Sequence, residues 1–145
     1  MKHLLLGDEA LAQGAIDAGL SGVYAYHGTP STEITEYIQL SEKRRALSAS
    51  LENGADSAYS LECEDKIFCQ WATNEKTAME GALGMSYMGK RALVCMKHVG
   101  MNVCADAFMN AAITGVNGGL VVVAADDPSM HSSQNEQDSR FYAKF

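Results

Sequence analysis

The chain lacks the signals of several large functional classes. Only eleven basic side chains stand against eighteen acidic ones, a net charge of −7. With no basic stripe to neutralise phosphates, nucleic-acid binding is excluded as its task. Long hydrophobic runs are missing too: stretches such as Leu120 to Ala125 fall far short of the roughly 20 residues of a membrane span. Met1-Lys2-His3 before Leu4, Leu5 and Leu6 is too brief for a secretory signal, so a cytoplasmic address and no membrane partner are expected. No CxxC pair occurs. Cys63, Cys69, Cys95 and Cys104 follow one another at gaps of 6, 26 and 9, which matches no zinc or iron-sulfur pattern, and they read as buried thiols. The glycines from Gly115 to Gly119 lack the Lys-Ser/Thr of a P-loop, and no GxGxxG opens a helix after a strand.

What is present is a globular composition, with 47% apolar and 20% charged residues in a chain of 145. That suits one domain around one core. Leu11, Ala15, Ile16 and Ala18 recur at helical spacing behind Asp8 and Glu9, where the positive end of a helix favours acids. Val23 to Tyr26 reads as a short strand stopped by His27-Gly28-Thr29-Pro30, and Ser31 to Gln39 as a helix. Residues 41 to 65 are polar, and their charges suggest a solvated, least structured stretch. Three further strands are expected at Ile67–Trp71, Ala92–Met96 and Leu120–Ala125, separated by helices at Glu75–Met88 and Asn102–Thr114. Alternation of this kind predicts an α/β fold, an open parallel sheet with helices on both faces.

In such sheets ligands collect beyond the carboxyl ends of the strands. Four polar loops are expected there: His27 to Ser31, Thr73 to Glu75, Lys97 to Gly100 and Asp126 to Pro128. Glu75 is the unusual member. It shares a helical face with Ala78, Met79, Ala82, Leu83 and Ser86, so a carboxylate heads an otherwise apolar or small stripe. Two readings fit. With Thr73 or Asn74 as cap, an acid in the first turn gains ~0.5 kcal/mol from the helix dipole; alternatively, Glu75 points into a cleft and hydrogen-bonds a nitrogen heterocycle. Gly81, Gly84 and Gly89 on the same helix permit close packing, against the chain's own sheet or a second domain. Lys97 and His98 put a cation and a titratable ring at a strand end. Asn102 suits a cap for the helix it would begin, and Asp126-Asp127-Pro128 reads as a turn rather than a metal site.

Four segments, YHGTPSTEI from Tyr26, NEKTAMEGALG from Asn74, MKHVGMNVCAD from Met96 and DDPSMHSSQNEQDSR from Asp126, carry a resemblance across nearly the whole chain. Together they resemble the thiamine-diphosphate 2-oxoacid:ferredoxin oxidoreductases, most closely the large subunit of the indolepyruvate-using members. The resemblance implies that residues 1–145 form the pyrimidine-binding domain of the thiamine-diphosphate fold, the amino-terminal part of a longer subunit. By position it makes Glu75 the catalytic acid on the cofactor's aminopyrimidine ring. Asn74, Gly28 and Thr29 become cofactor neighbours, and Thr29, Lys97, His98 and Asn102 substrate contacts. The implied reaction is oxidative decarboxylation of an arylpyruvate to an arylacetyl-CoA with reduction of ferredoxin. Gly7-Asp8-Glu9 does not supply the family's Gly-Asp-Gly motif and its CxxCxxC region does not appear, so Mg2+ and [4Fe-4S] clusters are expected in other domains. The implied partners are the rest of the subunit, a second (beta) subunit, ferredoxin, the 2-oxoacid and coenzyme A, in a dimer or larger oligomer. The chain alone is expected to be inactive. A non-redox thiamine-diphosphate decarboxylase of the sulfopyruvate or phosphonopyruvate type, and a non-catalytic interaction module, are the alternatives. The first would have a companion chain without iron-sulfur cysteines; the second would have no use for Glu75.

Overall fold

The computed structural model describes residues 4–53 and 66–144. Strands β1 (Gly22–Ala25), β2 (Phe68–Trp71), β3 (Ala92–Lys97) and β4 (Leu120–Ala125) alternate with helices α1 (Gly7–Asp17), α2 (Thr32–Asn53), α3 (Glu75–Tyr87) and α4 (His98–Thr114). Short 3-10 segments follow at Pro128–Met130 and Ser139–Lys144. All strands pair in parallel in the order β2-β1-β3-β4.

The central strand explains the two-sided core. Leu93 and Cys95 of β3 join Val23 and Ala25 of β1, Ala12 of α1, and Ile34 and Ile38 of α2. The alternate residues Ala92, Val94 and Met96 enter the opposite layer with Ala78, Met79, Ala82 and Leu83 of α3 and Met101, Cys104 and Ala107 of α4. A period of two with both faces apolar is what a strand covered on both sides requires. The close-packing glycine of α3 turns inward: a Cβ on Gly81 would lie 2.6 Å from the Tyr24 ring of β1. That helix therefore packs on the chain's own sheet. Burial pushes the thiols of Cys69 and Cys104 up to about 11 and that of Cys95 up to about 12. These three are free cysteines; Cys63 lies outside the described residues.

Two expectations are corrected. Helix α2 does not stop at Gln39 but runs to Asn53, so residues 41 to 53 are helical rather than irregular. Charges on every side of that stretch hide its periodicity, yet Glu42 anchors it by accepting the Ile67 amide at 3.0 Å and Arg45 at 2.9 Å. The rest of the stretch, 54 to 65, lies outside the described residues. The second correction concerns α4, which begins at His98 rather than Asn102. Strand β3 stays paired with β4 as far as Lys97, opposite Ala125, and the helix starts at the next residue. No loop separates them, and Asn102 is not a cap.

The chain leaves β1 toward α2 on one face and leaves β3 toward α4 on the other. The ends of these two neighbouring strands therefore form the sheet's topological switch point, where α/β folds of this kind open a crevice.

Candidate functional site

At the switch point the turn after β1 is closed by its own side chains. Ser31 Oγ donates to the Gly28 carbonyl at 2.8 Å, and the Gly28 amide donates to Thr32 Oγ1 at 2.9 Å. The Thr29–Pro30 peptide within it is cis. Thr29 is exposed at its tip. Lys97 lies alongside, since a Cβ on Gly28 would be 3.6 Å from Lys97 Cδ. Gly28 and Lys97 are thus neighbours at the carboxyl edge of the sheet, with Thr29 the next residue of the same turn.

Glu75 is the first residue of α3. Asn74 caps the helix: its Oδ1 accepts the Thr77 amide at 2.9 Å, and Thr77 Oγ1 donates to the Asn74 carbonyl at 2.9 Å. The cap reading of Asn74 is therefore the observed one, and it fixes the direction in which Glu75 leaves the backbone. The whole stripe of Glu75, Ala78, Met79, Ala82, Leu83 and Ser86 is buried. Glu75 itself is 8% exposed and accepts no hydrogen bond from any described residue. Its neighbour is the first turn of α4, where a Cβ on Gly100 would lie 2.6 Å from Glu75 Cγ and 2.8 Å from Oε1. Its charge also reaches Cys104, adding to the burial that raises that thiol.

Lys97, His98 and Asn102 meet the tail beyond β4. Lys97 Nζ donates to the Ser132 carbonyl. His98 is 0% exposed, its Nε2 lying 2.9 Å from the Asn135 carbonyl and 3.2 Å from Asn135 Oδ1. A carbonyl oxygen only accepts, so Nε2 is the donor, and Nδ1 is buried with no hydrogen-bond partner among the described residues. Gln137 Nε2 returns to the His98 carbonyl at 3.0 Å. Asn102 donates to Gln137 Oε1 at 2.9 Å and accepts from the Tyr142 hydroxyl at 2.6 Å. The turn at Asp126 and Asp127 starts this strap. Asp127 Oδ2 accepts from the Ser132 amide, the Ser132 hydroxyl and the Ser133 hydroxyl at 2.7, 3.1 and 2.8 Å, and these bonds hold its carboxyl down to about 2. Among the described residues no group of three His, Cys, Asp or Glu side chains converges as a metal site.

The structure so brings the expected residues to one edge of the sheet, but His98 and Asn102 serve as anchors for residues 132 to 142. Gly100, Asn135, Gln137 and Tyr142 were not singled out by sequence reasoning. Gly100 looked like a loop breaker, and the strap contacts span 35 to 40 positions that no local pattern links.

No family model matches the chain. Over 143 residues it is 48% identical to the indolepyruvate oxidoreductase subunit IorA of Archaeoglobus fulgidus, covering 99% of this chain and 20% of that protein. The IorA subunit of Pyrococcus horikoshii is 44% identical over 144 residues, again 99% of this chain and 19% of the relative. The chain therefore spans about a fifth of the length of these relatives. Among solved structures, the 2-oxoglutarate:ferredoxin oxidoreductase from Magnetococcus marinus, with 2-oxoglutarate, coenzyme A and succinyl-CoA bound, superimposes with a TM-score of 0.65. That match has 23% identity and covers 96% of this chain and 21% of the other, so it speaks to the fold. Along nearly all of its own length, the chain is homologous to one segment of the IorA subunits of indolepyruvate oxidoreductases.

Proposed function

We propose that residues 1–145 are the pyrimidine-binding domain of a thiamine-diphosphate enzyme that oxidatively decarboxylates arylpyruvates of the indolepyruvate kind to arylacetyl-CoA and reduces ferredoxin. The single observation that carries this reading is Glu75, an acid 8% exposed at a helix start, with hydrogen-bonding capacity that no described residue uses. Its oxygens are not among the fully buried unpartnered atoms, so they face outward from the stripe and are open to a ligand that can take up those bonds. A nitrogen heterocycle with a titratable ring atom fits that chemistry. Thiamine diphosphate, when bound, supplies the nucleophile and electron sink for decarboxylating a 2-oxoacid. Glu75 would hold and exchange the proton shared with the ring, and the capped first turn of α3 would keep its carboxylate from swinging away. Lys97 at the Gly28–Thr29 turn offers a positive charge suited to a 2-oxoacid carboxylate. The diphosphate end, Mg2+, [4Fe-4S] clusters and the coenzyme A and ferredoxin contacts belong, in this reading, to the rest of the subunit and a beta subunit.

The test is Glu75→Gln in the full-length protein, which keeps the shape and removes the ionisable oxygen. Ferredoxin reduction driven by indolepyruvate should fall by about 10²–10⁴-fold, with the circular-dichroism spectrum unchanged. Near-normal turnover would overturn the assignment.

A further inference from the structure

The first turn of α4 shapes the position of Glu75, and one residue there is glycine without any backbone need for it. Gly100 sits inside an α-helix with no positive φ, so its backbone does not need glycine. By intrinsic propensity alanine is favoured there. What an added methyl group would meet is Glu75 alone among its three nearest atoms: Cγ at 2.6 Å, Oε1 at 2.8 Å and Cδ at 3.0 Å. The contrast with Gly14 of α1 is direct, since a Cβ there meets nothing within 4 Å. Nor is the first turn of α4 free to retreat. The His98 carbonyl accepts Gln137, the His98 ring is held at Asn135, and Met101 and Cys104 are in the core.

We infer that Gly100 is a positioning residue for the reaction, a vacancy in helix α4 against which the carboxylate of Glu75 is set. The inference rests on the catalytic reading of Glu75. With a methyl group at position 100, the contact at Cγ must lengthen to the ~3.5–4.0 Å of ordinary carbon–carbon packing. The side chain of Glu75 is the movable partner, so the carboxylate shifts by about 1 Å, a displacement that costs on the order of 10²-fold in rate when it falls on a reacting group. The helix itself gains from the same change.

The experiment compares Gly100→Ala, Gly14→Ala and Glu75→Gln in the full-length protein. It measures thermal midpoint, deuterium exchange at the C2 carbon of added thiamine diphosphate, and kcat and KM for indolepyruvate. Gly100→Ala is expected to keep or raise the midpoint, as Gly14→Ala does. Only Gly100→Ala of these two should slow exchange and kcat by about 10²-fold, with KM little changed and Glu75 displaced in its crystal structure. An exchange rate in Gly100→Ala equal to that of the unaltered protein would overturn the inference. So would a midpoint that falls in step with activity, which marks a merely structural role. If Glu75→Gln leaves exchange intact, the reading of Glu75 fails first; if Glu75→Gln abolishes exchange and Gly100→Ala does not, only the role of Gly100 fails.

Discussion

At the scale of single residues, capping and charge decide what the carboxyl edge of the sheet can do. Asn74 spends its side-chain oxygen on the Thr77 amide, so Asn74→Ala should cost about 1 kcal/mol in chemical denaturation. It should also lower kcat through a looser Glu75. Asp127 makes a different kind of contribution. Its carboxyl is held near 2 by the Ser132 amide and the Ser133 and Ser132 hydroxyls, below the ~3.9 of an unfolded aspartate. A depressed value means the anchoring is complete above the unfolded value and is lost as pH falls through the folded one. The protection factors of the His131 and Ser132 amides, which bond to this carboxylate, should therefore hold down to about pH 4 and fall toward pH 2. Asp127→Ala, which removes the acceptor oxygen, should lower the same protection factors at neutral pH.

At the scale of elements, the two core layers are separate targets. Ile38 of α2 and Met79 of α3 are fully buried on opposite faces of the sheet. Truncating either to alanine should cost ~2–5 kcal/mol, and the double variant should cost close to the sum because the two share no layer. Gly118 ties α3 to the approach of β4. Ser86 Oγ donates to its carbonyl at 2.6 Å, and its amide donates to the Ser86 carbonyl at 2.7 Å. A Cβ there would sit 2.1 Å from the Lys90 carbonyl oxygen, a backbone atom that cannot swing aside. Gly118→Ala is expected to destabilise by ~1–3 kcal/mol, read from the denaturation midpoint. Legibility in the sequence follows the same physics. The limits of β4 were readable because a short run rich in valine is bracketed by Gly118-Gly119 and Asp126-Asp127-Pro128. The stripe headed by Glu75 was readable because helical spacing alone decides a face. The onset of α4 was not, because Lys97-His98-Val99-Gly100 has the composition of a turn and becomes helix only through His98 being buried against Asn135. The second half of α2 was not, because consecutive charges from Glu42 to Arg45 mask its period, its leucines Leu47 and Leu51 are exposed, and it is fixed by Ile67, 25 positions away.

At the scale of the whole molecule, the carboxyl edge is, in the proposed function, one side of a site that the rest of the subunit completes. A cavity of about 570 Å³ lies elsewhere, lined by Leu20, Ile67, Phe68 and Lys90 toward the amino ends of the strands. No described helix is long and apolar enough to cross a membrane. The isolated 145-residue chain is accordingly expected to show no saturable heat of binding with thiamine diphosphate in calorimetry. Submicromolar binding by the chain alone would show that the diphosphate end is held here after all.

The junction between β3 and α4 has no slack. Lys97 ends the pairing with β4 and His98 is already helical. A helix advances about 100° per residue. One alanine inserted between these two positions would rotate the barrel of α4 by more than a quarter-turn about its axis, or else push the strand out of phase with its neighbour. The first outcome would carry the notch opposite Glu75 to the wrong azimuth, and the second would turn the core side chains of β3 to the opposite face. Length variation should therefore be forbidden at this seam.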